Sequence, residues 1–180
     1  DNHVHEIVID RSDGYWQHFD RSKLAGAPDA AGEPMGYAAP SPRIVYRGLD
    51  GDIHEIALDT TTGNWGHTDL SRAAAAPALA GSPMGYFSDL PRVVYRGTDQ
   101  HIHELTFHEE RDSWDHVDLT SATHAPKAAS APMGFVADGP RVVYRGIDDH
   151  IHQLAASPVS GSWAYVDTSA DATPARNEGS

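Results

Sequence analysis

The sequence predicts an all-β fold, a β-propeller of four-stranded blades, on three observations. Tryptophan occurs at 16, 65, 114 and 163 and nowhere else, in steps of 49 residues. Each unit of that length holds four short segments bounded by Gly, Pro, Asp and Asn. No segment sustains a 3.6-residue apolar period. Four antiparallel strands in roughly 40–50 residues, repeated, describe a propeller blade. A β-solenoid coil is usually shorter and carries fewer strands.

The unit read from residue 83 shows why each segment is a strand. PMGYFSD (83–89) opens it, and PRVVYRG (91–97) follows with β-branched and aromatic alternation. Residues 97–100 form a Gly-Thr-Asp-Gln turn. HIHELTF (101–107) is the third strand and SWDHVDLT (113–120) the fourth. An Ala/Pro/Ser-rich connection then leads to the next PMG. The Ala run at 73–76 has room for one helical turn before Pro77. Met35, Met84 and Met133 keep the same step, so the period runs through the chain without insertion.

This register gives three full blades at 34–70, 83–119 and 132–168. Residues 1–20 align with 50–69 and supply strands 3 and 4 of a further blade. Residues 1–168 are therefore one propeller portion, and 169–180 a polar C-terminal tail. Three blades cannot close a ring, since propellers usually need four to eight. The expectation is that the chain is the C-terminal half of a seven-bladed ring, divided at a strand 2–3 turn. A six-bladed homodimer with displaced N-terminal hairpins is the alternative. Either way, a complementary half or a second copy is the expected partner, because open sheet edges associate.

Composition bounds the partners. Hydrophobic residues make up 39% and charged residues 22%, enough for a packed core. Acids outnumber bases 26 to 13, for a net charge of −13, which argues against nucleic acid and anionic membranes as partners. The absence of cysteine excludes disulfides, thiol catalysis and Cys-ligated zinc. No apolar stretch is long enough to span a membrane as a helix. The chain begins at Asp1 rather than Met, so removal of an upstream segment is expected.

Three constellations recur. The first is Arg43 with Glu55 and Trp65, Arg92 with Glu104 and Trp114, and Arg141 with Gln153 and Trp163. A guanidinium and a carboxylate can fix vicinal hydroxyls, and an indole face can cover the apolar side of a pyranose. The same residues equally suit a structural Arg–Glu pair between strands, with Trp filling the gap between blades. Repetition does not separate these readings, and Glu6 and Trp16 lack their Arg.

The segments RVVY and HIHEL and the Trp that follows resemble the fucose-lectin β-propellers of fungi and bacteria, and the related seven-bladed bacterial propeller lectins. The resemblance implies non-enzymatic, multivalent binding of a fucose-like or methylated sugar by a secreted protein. Arg43, Arg92 and Arg141 would hydrogen-bond the sugar together with Glu55, Glu104 and Gln153. Trp65, Trp114 and Trp163 would stack on it. The site with Gln153 is expected to be the weakest, because a neutral amide replaces a charged acceptor. The His- and Ala-rich blades also resemble secreted Streptomyces propellers of the dispase autolysis-inducing type, which implies binding to an extracellular protease instead.

The second constellation is histidine. His101 and His103 share one strand face, as do His3/His5 and His150/His152, with Asp52/His54 in the second repeat. Such pairs suit Zn²⁺ or Ni²⁺, but neither His108 nor Asp99 stands in a compelling third position, and no metal is expected. The third is W-x-H-x-D: Trp16/His18/Asp20, Trp65/His67/Asp69 and Trp114/His116/Asp118, varied as Trp163/Tyr165/Asp167. Tyr in place of His argues against proton transfer and for a ring that donates to the Asp. No nucleophile motif, phosphate loop or HExxH is present, so neither enzymatic activity nor a cofactor is expected.

Overall fold

A computed structural model of the chain describes residues 1–171. Strands β1 (His5–Ile9) and β2 (Trp16–Asp20) form a hairpin. Three four-stranded antiparallel sheets follow. The first holds β3 (Met35–Ala38), β4 (Pro42–Arg47), β5 (Ile53–Leu58) and β6 (Trp65–Asp69). The second holds β7 (Met84–Phe87), β8 (Pro91–Arg96), β9 (Ile102–His108) and β10 (Ser113–Asp118). The third holds β11 (Met133–Val136), β12 (Pro140–Arg145), β13 (Ile151–Ala156) and β14 (Trp163–Asp167). Within each sheet the spatial order is the chain order. The first strands of successive sheets lie side by side, β3 by β7 and β7 by β11, so each sheet is a blade with its first strand innermost.

A short helix follows the last strand of every unit: α1 (Arg21–Ala25), α2 (Leu70–Ala73), α3 (Leu119–Thr123) and α4 (Thr168–Asp171). The Ala run at 73–76 was the one place the sequence offered for a turn of helix, and α2 begins before it. At four or five residues these helices are too short to show a period. They form because Asp20, Asp69 and Asp118 cap them, each carboxylate accepting a backbone N–H three residues on at 2.9 Å. Two residues after the capping Asp, a hydroxyl then accepts the backbone N–H at the head of the third strand: Ser71 from Ile53 and Thr120 from Ile102. Of the tail expected at 169–180, residues 172–180 lie outside the described residues. Among the described residues no helix is long and apolar enough to cross a membrane.

Side chains alternate along each strand, so every blade has two faces. In the first blade one face carries Tyr37, Arg43, Val45, Ile53 and Glu55; it is called the trailing face because it meets the second blade. The opposite, leading face carries Gly36, Ile44, Tyr46, Ile56 and Trp65. Tyr37, Val45 and Ile53 pack against Val93, Tyr95, Leu105 and Trp114 of the second blade. Tyr86, Val94 and Ile102 pack in the same way against Val142, Tyr144 and Leu154 of the third. Val4 meets Ile44, Tyr46 and Ile56 at the leading end. The core therefore lies between blades, and each fully buried Val, Leu or Ile there contributes about 1.5–3 kcal/mol.

Glycine in the PMG segment permits this packing. A Cβ on Gly85 would stand 2.2 Å from the Tyr37 ring, and one on Gly134 would stand 2.5 Å from the Tyr86 ring. The arc is open at both ends. Ile53 and Ile102 are 0% exposed between blades, whereas their equivalent Ile151 is 45% exposed on the trailing face of the last blade. Trp16, the equivalent of the buried Trp114, is 69% exposed on the leading hairpin.

Candidate functional site between the blades

The cross-strand register sets Arg43 opposite Ala57 and Glu55 opposite Val45, so the two charged side chains are diagonal neighbours on the trailing face. Arg43 Nη1 donates to Glu55 Oε2 at 2.7 Å, and Arg92 Nη1 donates to Glu104 Oε2 at 2.8 Å. The other carboxylate oxygen is also taken. Tyr37 Oη donates to Glu55 Oε1 and Tyr86 Oη to Glu104 Oε1, each at 2.5 Å. Both carboxylates are buried, at 3% and 2% exposure. Burial pushes their pKa up, and the guanidinium and then the phenol pull it back. Burial, and then the adjacent carboxylate, hold the Tyr37 phenol well above its ordinary value, so it stays a donor.

The strand-1 tyrosine is the candidate-site residue that the sequence reading missed. Its signal was present: Tyr37, Tyr86 and Phe135 stand 49 residues apart and change together with Glu55, Glu104 and Gln153. The blade that loses the phenol is the blade that loses the carboxylate.

The structure regroups the expected trios. Trp65 pairs with Leu58, on the face opposite Arg43 and Glu55, so the sheet itself separates it from them. The aromatic wall comes from the next blade. A cavity of about 260 Å³ is lined by Arg43, Glu55, Phe107 and Trp114, with the Arg43 guanidinium 5.1 Å from the Phe107 ring centroid. A second, of about 270 Å³, is lined by Arg92 and Asp89 of one blade and by Pro140, Ser157 and Trp163 of the next. Glu104 holds Arg92 from behind, and Asp89 Oδ1 accepts from Arg92 Nη2 at 3.1 Å. Arg141 and Gln153 share the trailing face of the last blade, where no aromatic wall covers them among the described residues, and Arg141 pairs with Asp138. The Nε atoms of Arg43, Arg47, Arg92 and Arg141 are buried and have no hydrogen-bond partner among the described residues, so this state is not confined to the cavities.

Glu6 does have an arginine, contrary to the expectation. Arg21, at the start of α1, donates from Nε to Glu6 Oε2 at 2.6 Å and lies 4.1 Å from the Trp65 ring centroid. It stands where the later units have Leu70 and Leu119, not at the strand-2 position that holds Arg43, Arg92 and Arg141. Trp16 remains without an arginine partner among the described contacts.

The histidines form a repeated relay at the strand 2–3 turns. His103 Nδ1 and His116 Nε2 are 3.0 Å apart, and His103 Nε2 is 3.2 Å from Asp99 Oδ1. His54 repeats this with His67 and Asp50, and His152 with Tyr165 and Asp148. The ring in W-x-H-x-D thus bonds the buried histidine rather than the Asp of its own motif, which caps the helix and, as Asp118, pairs with His101 Nδ1 at 2.8 Å. Among the described residues, Asp99, His103 and Asp118 bring three ligand-type atoms within 4.8 Å of one another, with these hydrogen bonds already in place.

No protein-family model matches the chain, and no curated protein matches it. Solved structures do. One is the SapL1 lectin in complex with alpha methyl fucoside, at 17% identity and a TM-score of 0.57, covering 86% of this chain and 52% of that one. Another is AofleA from Arthrobotrys oligospora, at 16% identity and a TM-score of 0.53, covering 85% and 47%. The chain spans about half the length of these structures, and neither points to the protease-binding type of propeller. At that identity the likeness is one of fold: the chain is a run of β-propeller blades built on the plan of these proteins.

Proposed function

We propose that the chain is a non-enzymatic lectin that binds a neutral, fucose-like or methylated sugar in the cavities between its blades. The observation that carries this reading is the state of the arginines. Tyr and Glu fill each other's hydrogen bonds and hold the guanidinium in one orientation against a cavity walled by the next blade's indole. The indole face suits the apolar side of a deoxy sugar. On this reading the glutamate orients the arginine, and the arginine recognises the sugar. The likeness to a lectin whose structure contains alpha methyl fucoside supports the choice of sugar. Such a protein would act outside the cell, as a secreted binder.

Titration calorimetry with methyl α-fucoside tests the proposal. Two sites per chain are expected, at Arg43/Trp114 and at Arg92/Trp163. Arg92→Lys keeps a cation beside Glu104 but loses the planar fork, so it should remove one site without unfolding the blade. Arg141→Lys should leave the binding of this chain unchanged, because among the described residues no indole faces Arg141. A folded chain that binds no sugar at millimolar concentration would overturn the reading and favour a protein ligand. Accumulation inside the producing cell would overturn the secreted placement.

A further inference from the structure

We propose that Asp99, His103 and Asp118 form a binding site for a divalent transition-metal ion of the Zn²⁺ type at the strand 2–3 turn of the second blade. The sequence offers the His101/His103 pair no compelling third ligand, and the fold supplies it. The turn after β8 sets Asp99 Oδ1 3.2 Å from His103 Nε2. The register of β9 and β10 places Asp118 opposite His103, and ligand-type atoms of all three residues then lie within 4.8 Å of one another. A tetrahedral ion with bonds of about 2.0–2.2 Å needs its ligand atoms about 3.3–3.6 Å apart, so small side-chain rotations close the site. Two carboxylates and one imidazole suit a borderline cation and leave a position for water. Their two negative charges balance it.

The surroundings hold each ligand in place. His101 Nδ1 lies 2.8 Å from Asp118 Oδ2, and the Ser121 hydroxyl donates to the same oxygen at 2.8 Å. The His101 backbone N–H donates to Asp99 Oδ1 at 3.0 Å. His103 is buried and its Nδ1 stands 3.0 Å from His116 Nε2. With the ion on Nε2, the His103 hydrogen moves to Nδ1 and His116 accepts it, so the ring stays neutral. The Lys127 ammonium near the turn is engaged by the Asp99 backbone carbonyl at 3.0 Å. Asp99 and Asp118 both reach solvent, which gives the ion a path in. The third blade repeats the residues as Asp148, His152 and Asp167, but among the described residues only the second blade brings three such atoms this close. Trp114 stands near the start of β10 and Asp118 at its end, so this site lies at the other end of the strand from the indole that walls the Arg43 cavity. The proposal does not depend on what the inter-blade cavities bind.

Titration calorimetry of the full chain with Zn²⁺, after stripping with EDTA, is the test. One equivalent should bind with a Kd of about 10 µM or tighter and raise the melting temperature. Asp118→Asn keeps a side chain able to cap α3, and Asp99→Asn keeps an acceptor for the turn, yet each removes a carboxylate ligand. Each should weaken zinc binding about tenfold or more. Melting in EDTA reads the fold of each variant apart from its zinc response. Asp167→Asn, the same change in the third blade, should leave the tight equivalent in place. Zinc binding weaker than about 100 µM, equal affinity in wild type and in both second-blade variants, or loss of the tight equivalent in Asp167→Asn instead would overturn the proposal.

Discussion

Tyr86, Glu104 and Arg92 behave as one unit if the geometry is right, and a double-mutant cycle measures this. Tyr86→Phe removes the donor 2.5 Å from Glu104 Oε1 and leaves a buried carboxylate oxygen unpaired. A hydrogen bond to a charged group is worth about 1.5–3 kcal/mol, so the single substitution should cost that much. In a Glu104→Gln background the same phenol bonds only a neutral amide oxygen, worth about 0.5–1.5 kcal/mol. The coupling between the two positions should therefore be about 1 kcal/mol, with the double variant less destabilised than the sum of the singles. Phe135 with Gln153 in the last blade is the natural instance of that pair. Urea unfolding of the four proteins gives the cycle. Additivity to within about 0.3–0.5 kcal/mol would refute the triad as a unit and leave the tyrosine a packing residue.

Three further outcomes follow from the packing and the ionisable groups. Trp114→Ala opens a cavity between blades and should cost about 3–5 kcal/mol, whereas the exposed Trp16→Ala should stay within about 0.5 kcal/mol, both read from urea midpoints. Gly85→Ala drives a methyl into the Tyr37 ring and should cost about 1–3 kcal/mol in the same assay; an unchanged midpoint would show that the blades do not stack as described. The third outcome concerns pH. Burial, and then the neighbouring His54 and His103, hold His67 and His116 below the ordinary imidazole value of 6.5. Because folding lowers these bases, the stability they contribute is present above that value and is lost as pH falls through their folded pKa. The Asp118 carboxylate is opposed by burial, but the Ser121 N–H and His101 outweigh it and lower its pKa from 3.8. Its contribution is therefore present above 3.8 and is lost as pH falls through the lower folded value. Stability measured above, between and below these two values should fall in two stages. His116→Tyr, copying Tyr165, should shrink the upper stage alone.

The blade architecture was legible because local chemistry repeats it. The 49-residue step, the alternating RVVY segments and the Gly/Asp turns each act over a few residues, and they agree with one another in every unit. The Arg–Glu pairing was legible for the same reason, since it joins two strands linked by one short turn. The short helices were not, because a capping Asp builds a single turn that leaves no period to read. Which tryptophan faces which arginine was also out of reach. Trp65 and Arg43 lie in one blade, but strand alternation and register put them on opposite faces, and only blade stacking brings Trp114 to Arg43. The stand-in of Arg21 for the missing strand-2 arginine likewise comes from a helix terminus that the repeat does not mark. The sequence by itself determined the strands, their order and the charged pairs within each sheet, because those depend on neighbours along the chain. The tertiary structure alone decided the composition of the two inter-blade cavities, because each is closed by the next blade, Trp114 for Arg43 and Trp163 for Arg92, across a gap whose geometry no single blade contains.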